Sequence, residues 1–206
     1  MTSASRFAGI LVAAALGFAS SPASALCDPD TALFEDDFAF LDVSWGHADD
    51  SIGVEDGTLV VRGNGGVVNL ETKNEGASIC VDMTIVSAPK IPNSPAGLVF
   101  WWQDWDNYYS LFIWADGWLE VRRMVDGTSK TVFTEEVDAL KRGAGATNSI
   151  ELMLRSKDAT VSLNTKTVRR FKAKQPKQGG AVGLFGISAN GAPALFSFDN
   201  FVVNER

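Results

Sequence analysis

Histidine is nearly missing from this sequence: His47 is the only one in 206 residues. A zinc site built on imidazoles is excluded for want of ligands. Any Ser-His-Asp or Cys-His centre would have to use His47, which sits in a turn-like stretch (44–50) with no nucleophile motif beside it and reads as a surface residue. Positive charge is also short. Lys and Arg number 18 against 25 Asp and Glu, a net charge of −7, and that balance argues against a nucleic-acid partner, because phosphate recognition needs a basic face. No glycine loop fit to cradle phosphate is present, since Gly63, Gly65 and Gly66 lack the lysine and the following helix. Helix signals are scarce. The segment 134–142 (TEEVDALKR) has Val137 and Leu140 three apart and Gly143 beyond its end, and predicts one or two helical turns on a connection.

Long apolar runs are confined to the N-terminus. Arg6 precedes the run 7–18 (FAGILVAAALGF), and 19–25 (ASSPASA) follows with Pro22 and small residues at Ala23 and Ala25. Charge, apolar core and a small-x-small end are the three parts of a cleavable secretion signal, so residues 1–25 are expected to be a signal peptide and 26–206 the exported domain, periplasmic or extracellular. A spanning helix needs about 20 apolar residues, more than this run supplies before Pro22. No later segment is long and apolar enough to cross a bilayer, so no transmembrane anchor is expected after cleavage. Lipoprotein processing at Cys27 is the other reading, opposed by bulky Leu26 directly before it.

Cysteine is limited to Cys27 and Cys80. In an oxidising compartment an even pair suggests a disulfide; two unlinked thiols are the alternative. In the segment 78–86, Ile79, Val81, Met83 and Ile85 share one face and Cys80 lies on the other with Asp82 and Thr84. A bridge would therefore tie the new N-terminus across the outer side of a strand.

What the chain has in quantity is two-residue alternation. The segments 58–62, 78–86, 96–102, 108–114, 118–124, 129–134, 149–155, 160–163, 180–187 and 194–203 all read as strands, rich in Val, Ile, Phe, Trp and Thr. Asp56-Gly57, Asp116-Gly117, Asp126-Gly127 and Asn190-Gly191 stand between them as turn signals, and Asp116-Gly117 is the strongest hairpin. The proline-bearing 87–95 reads as a surface loop. This pattern predicts an all-β fold of two antiparallel sheets packed face to face.

The order of motifs carries a resemblance. Phe34-x-Asp36-Asp37-Phe38, Trp45 and Gly57-x-Leu59-x-Val61 come first. Ala96-Gly97-Leu98-x-Phe100, Asn107-Tyr108-Tyr109, Asp116-Gly117 and Val121-x-Arg123 follow, then Asn148-x-Ile150, Gly183-Leu184-Phe185 and Phe198-Asp199-Asn200-Phe201-x-Val203. Over the whole mature chain this resembles the concanavalin A-like lectin/glucanase superfamily, nearest its laminin-G-like and 3-keto-disaccharide hydrolase branches. The resemblance implies a jelly-roll sandwich with neighbouring first and last strands and one face that often binds sugar. It also implies a structural calcium ion where the terminal strands meet. Asp37 and Asp199 are its expected ligands here, with plain solvent exposure or turn hydrogen bonds as the other reading. Asp104 and Asp106 are a second option. The superfamily holds enzymes, lectins and adhesion modules, so the fold alone does not decide function.

The carboxylate motif of the glucanase relatives, Glu-x-Asp-x-x-Glu on one strand, does not occur here. Aromatic residues do cluster: Phe100, Trp101, Trp102, Trp105, Tyr108, Tyr109, Trp114 and Trp118 fall within nineteen residues. Alternation puts Leu98, Phe100 and Trp102 on one face and Val99 and Trp101 on the other. Trp101, Trp105, Tyr108 and Trp118 are thus the expected platform for stacking against sugar rings; rings that merely cover one another are the alternative. The expected function is noncatalytic, lectin-like binding of a polysaccharide or oligosaccharide. A glycoside hydrolase of the 3-keto-disaccharide branch and an adhesion or structural module are the other candidates.

Overall fold

Alternating apolar residues need a shared interior, and two pleated sheets provide it. The computed structural model describes residues 27–88, 94–189 and 193–206. The expected signal peptide, 1–25, lies outside the described residues, as does the centre of the 87–95 loop. The strands run β1 (Ala32–Asp36), β2 (Ile52–Glu55), β3 (Thr58–Arg62), β4 (Gly65–Asn74), β5 (Ala77–Ser87), β6 (Ala96–Asp104) and β7 (Asn107–Ile113). They continue with β8 (Trp118–Val125), β9 (Thr128–Glu136), β10 (Thr147–Arg155), β11 (Asp158–Leu163), β12 (Lys166–Lys172), β13 (Gly180–Gly186) and β14 (Leu195–Glu205). An eight-stranded sheet has the order β12-β11-β10-β5-β14-β3-β2, with β1 also on β14, and a six-stranded sheet the order β4-β13-β6-β7-β8-β9. All of the pairings are antiparallel. This is the expected all-β jelly-roll sandwich, and the first and last strands are neighbours, Glu35 opposite Val202.

The core between the sheets is the set of alternate residues. Ile79, Val81, Met83 and Ile85 on β5, with Leu152 and Leu154 on the neighbouring β10, face Leu98 and Phe100 on β6 and Leu111 and Ile113 on β7, all of them buried. The other side of β5 carries a separate small cluster of Cys27, Cys80 and Val202. There Cys27 and Cys80 are disulfide-bonded, with Cα atoms 5.8 Å apart, and the bridge fastens the start of the described chain to the outer side of the larger sheet.

Two sequence expectations are corrected. The segment 134–142 is not helical: β9 continues to Glu136 and a turn follows, closed by the Leu140 N–H donating to the Val137 carbonyl at 3.2 Å. Val137 and Leu140 are both buried. A single turn takes two apolar residues three apart into the core as well as a helix does. The second correction is the parity of β6. Pairing with β7 slips between Phe100 and Asp104, and Trp101 takes a left-handed φ of 47°. A bulge inserts one extra residue, so consecutive side chains stop alternating. Trp101 therefore joins Phe100 in the core, and Trp102 is the residue that turns outward. Gly180 makes room for this backbone, since a Cβ there would come within 2.4 Å of the Trp101 carbonyl carbon.

Candidate functional site: an aromatic groove on the six-stranded sheet

The outer face of the six-stranded sheet carries its own apolar cluster, separate from the core. Val99, Phe112 and Phe185 form it, with Trp102, Tyr108 and Trp114 packed against them. These come from adjacent strands in register: Val99 lies opposite Gly183 on β13 and Ser110 on β7. Phe112 and Phe185 meet edge to face at 4.9 Å between centroids. They floor a groove of about 460 Å³ whose wall is Trp105 and Tyr108 and whose rim includes Asn64, Ser110 and Ser188. Gly66 keeps that floor open, because a Cβ there would press on Phe185 at 3.0 Å. The rim is organised: Asn64 Oδ1 accepts from the Ser188 N–H at 2.7 Å.

The wall is a chain of edge-to-face rings, Trp102 to Trp105 at 5.7 Å and Trp105 to Tyr108 at 5.9 Å. Trp105 is 55% exposed. It is presented by the tight β6–β7 hairpin, in which Asp104 Oδ1 accepts from the Asp106 N–H at 2.8 Å and from Asn107 Nδ2 at 3.1 Å. Asp104, at the end of β6, and Asp106, in the turn, are both exposed. Burial pushes the Tyr108 phenol above its usual pKa, against the pull of the Arg122 guanidinium.

Of the four expected stacking residues, the structure brings two together. Trp105 and Tyr108 share the groove. Trp118 lies on the same face and is 41% exposed, but it pairs with Glu136 at the far end of β8, whereas Tyr108 pairs with Met124. Six residues of strand separate Trp118 from Met124, about 20 Å. Trp101, 1% exposed, offers no open ring to a ligand. Phe112, Phe185 and Val99 went unnoticed as site residues because each reads in sequence as an ordinary strand residue. Their odd parity against Leu98 and Leu184 was the available signal.

Among the described residues no Asp, Glu or His lines this groove. Beside it on the same face, opposite Phe112, is the buried Glu120, 7% exposed. Arg122 grips it with Nε to Oε1 and Nη2 to Oε2, each 2.8 Å, and Thr131 Oγ1 donates to Oε1 at 3.1 Å. The Arg122 guanidinium lies 4.7 Å above the Phe112 ring. Glu136 stands diagonally from Glu120 on β9 and is bound by Arg142 at 2.7 Å. Diagonal neighbours in a sheet have backbones roughly 7–8 Å apart. His47 is exposed.

Of the expected calcium ligands, Asp37 serves the turn after β1 and Asp199 sits within β14 where its pairing with β5 slips. Asp37 Oδ1 accepts from the Ala39 N–H at 3.0 Å and Asp199 Oδ1 from the Asn200 N–H at 2.7 Å. Burial, with the nearby charges of Asp82 and Asp37, raises the Asp199 pKa. The electrostatics of this corner favour a cation. The donor set is thinner than calcium's usual six to eight oxygens, and among the described residues no three His, Cys, Asp or Glu side chains gather as a metal site.

The chain matches no protein-family model and no curated protein. Solved structures do share its fold. The carbohydrate-binding module CBM66 from Bacillus subtilis aligns with a TM-score of 0.58 at 14% identity, over 71% of this chain and 86% of that one. The Bacillus licheniformis β-glucanase aligns at 0.65 and 9% identity, over 84% and 98%. The GH43 BlXynB protein from Bacillus licheniformis aligns at 0.65 and 17% identity, and there this chain, 84% covered, spans 39% of its relative. These likenesses, all below 20% identity, show a shared fold, the two-sheet antiparallel jelly-roll sandwich. Among the described residues no helix is long and apolar enough to cross a membrane.

Proposed function

We propose that the protein is an exported, noncatalytic carbohydrate-binding domain whose ligand, a polysaccharide or oligosaccharide, lies in the groove on the outer face of the six-stranded sheet. The observation that carries this reading is the groove's composition: a Phe112/Phe185 floor, a Trp105/Tyr108 wall, a rim of amide and hydroxyl groups, and no acidic lining residue among the described residues. Flat rings pack against the C–H faces of sugars, and the rim groups bond their hydroxyls. Two of the fold relatives above support a sugar ligand by what they are, a carbohydrate-binding module and a β-glucanase. Export rests on the leader-like residues 1–25. The test is affinity electrophoresis through gels containing β-glucan, xylan or starch. At least one should retard the wild type, and Trp105→Ala should remove that retardation. Unretarded migration in every gel rejects the reading.

A second reading, a glycoside hydrolase of the 3-keto-disaccharide branch, is favoured by one observation: Glu120, beside the groove, and Glu136 stand on adjacent strands of the same face. Glycosidases use two carboxyl groups about 5–9.5 Å apart. Against it, both Glu120 oxygens are already engaged by Arg122 and Thr131. Release of reducing sugar from a glycoside panel, lost in both Glu120→Gln and Glu136→Gln, would establish it. A structural calcium ion at Asp37 and Asp199 remains part of the proposal and is tested below.

A further inference from the structure

On the other side of the Tyr108 ring is a second pocket of about 500 Å³, at the end of the sandwich. Its walls are the ends of β6, β7 and β8 and the connection 173–179 between β12 and β13. Its charge is at odds with the rest of the molecule. The chain carries −7 overall, yet among the described residues the pocket is lined by Arg123, Lys174 and Lys177 and by no acidic residue. Among the described residues none of these three cations is in an ion pair.

The pocket is held in shape. The Tyr109 hydroxyl accepts from the Lys174 N–H at 3.0 Å, which pins the connection over the pocket, and the Arg123 guanidinium lies 5.4 Å from the Tyr109 ring centre. Trp101 also lines the pocket, 1% exposed, and its indole N–H is buried with no acceptor from the protein. A buried donor without a partner is costly, and together with the left-handed Trp101 backbone it marks a place where the fold carries strain. Amide side chains complete the lining, Gln103 and Asn107 on one side, Gln175 and Gln178 on the other.

We propose that this pocket is a second saccharide site, selective for a sugar bearing an anionic group, a carboxylate or a sulfate ester. Arg123 presents a planar fork that matches either anion, Lys174 and Lys177 add charge at the mouth, and the amides bond hydroxyls. Met124, Val125 and Pro176 give the ring an apolar seat. The site uses none of the groove's floor residues and stands whether or not the groove binds sugar.

Titration calorimetry of the full chain with digalacturonate, a sulfated disaccharide, cellobiose and inorganic sulfate tests it. At least one anionic disaccharide should bind tenfold or more tighter than cellobiose and than sulfate, and the binding should weaken as salt rises. Arg123→Gln and, on the exposed connection, Lys177→Gln should each weaken it several-fold, and Trp105→Ala in the groove should not. Equal affinity for cellobiose overturns the proposal. So does sulfate alone binding as tightly, or anionic-sugar binding that survives both substitutions in folded protein. Which disaccharide binds tells carboxylate from sulfate.

Discussion

Arg122 closes on Glu120 with two parallel hydrogen bonds of 2.8 Å, and does so two residues away on the same strand, over the ring of Phe112. The pair turns a buried carboxylate of the outer sheet face into a brace for the groove floor. Hydrogen bonds to charged groups contribute about 1.5–3 kcal/mol, and Arg122 is partly solvated. Glu120→Gln should lower stability by about 1–2 kcal/mol in urea unfolding and leave the groove's affinity for a glycan nearly unchanged. A variant of native stability would remove the bracing role.

The Cys27–Cys80 bridge closes a loop with a sequence separation of 53 residues. On the chain-entropy account that cross-link stabilises the folded state by about 4 kcal/mol. Cys80→Ser, or reduction before urea unfolding, should lower the unfolding free energy by an amount of that order. A change under 1 kcal/mol would show that the N-terminal segment contributes little to the fold.

Asp199 gives a pH prediction of definite sign. Burial and the charges of Asp82 and Asp37 place its folded pKa above 3.8, its value without the fold. Between those two values the folded state binds more protons than the unfolded one, so the contribution of this group falls as pH rises through the window. Asp199→Asn should therefore raise Tm at pH 7, and the gain should fade as pH drops below about 4. Thermal melts across pH, with calcium and with a chelator, check both this and the proposed ion. A variant that is less stable only when calcium is present would assign Asp199 to a metal site instead.

Trp101 and Trp105 separate stability from binding. Replacing a fully buried large aromatic costs about 3–5 kcal/mol, so Trp101→Ala should lose that much in chemical unfolding. Trp105→Ala, at an exposed hairpin, should unfold within about 0.5 kcal/mol of the wild type. Similar losses for both would contradict the placement of these two rings.

The sandwich was legible because alternation survives wherever one strand face is dry. The segment 149–155 shows Ile150, Leu152 and Leu154 on one side, and all three are buried. The strands missed in sequence, β1, β2, β4 and β12, are short, glycine-bearing or charged, and edge position lets them be so: β12 (KTVRRFK) buries only Phe171. The site was half legible. Trp105 and Tyr108 announce themselves by composition. Trp101 misled because a bulge is a backbone event, set by pairing with β7 and by the missing Cβ of Gly180, and neither is written in the local alternation. Trp118 misled because nineteen residues of a hairpin fold back on themselves, so nearness in sequence did not become nearness on the sheet.

The most direct measurement is the dissociation constant of the neutral glycan that best retards the wild type, determined by titration calorimetry for wild type, Trp105→Ala and Trp118→Ala. Loss of one stacking ring from the groove wall should weaken binding about tenfold, ~1.4 kcal/mol, for Trp105→Ala and leave Trp118→Ala within twofold. Undiminished affinity in Trp105→Ala, or a loss confined to Trp118→Ala, would contradict the groove as the sugar site.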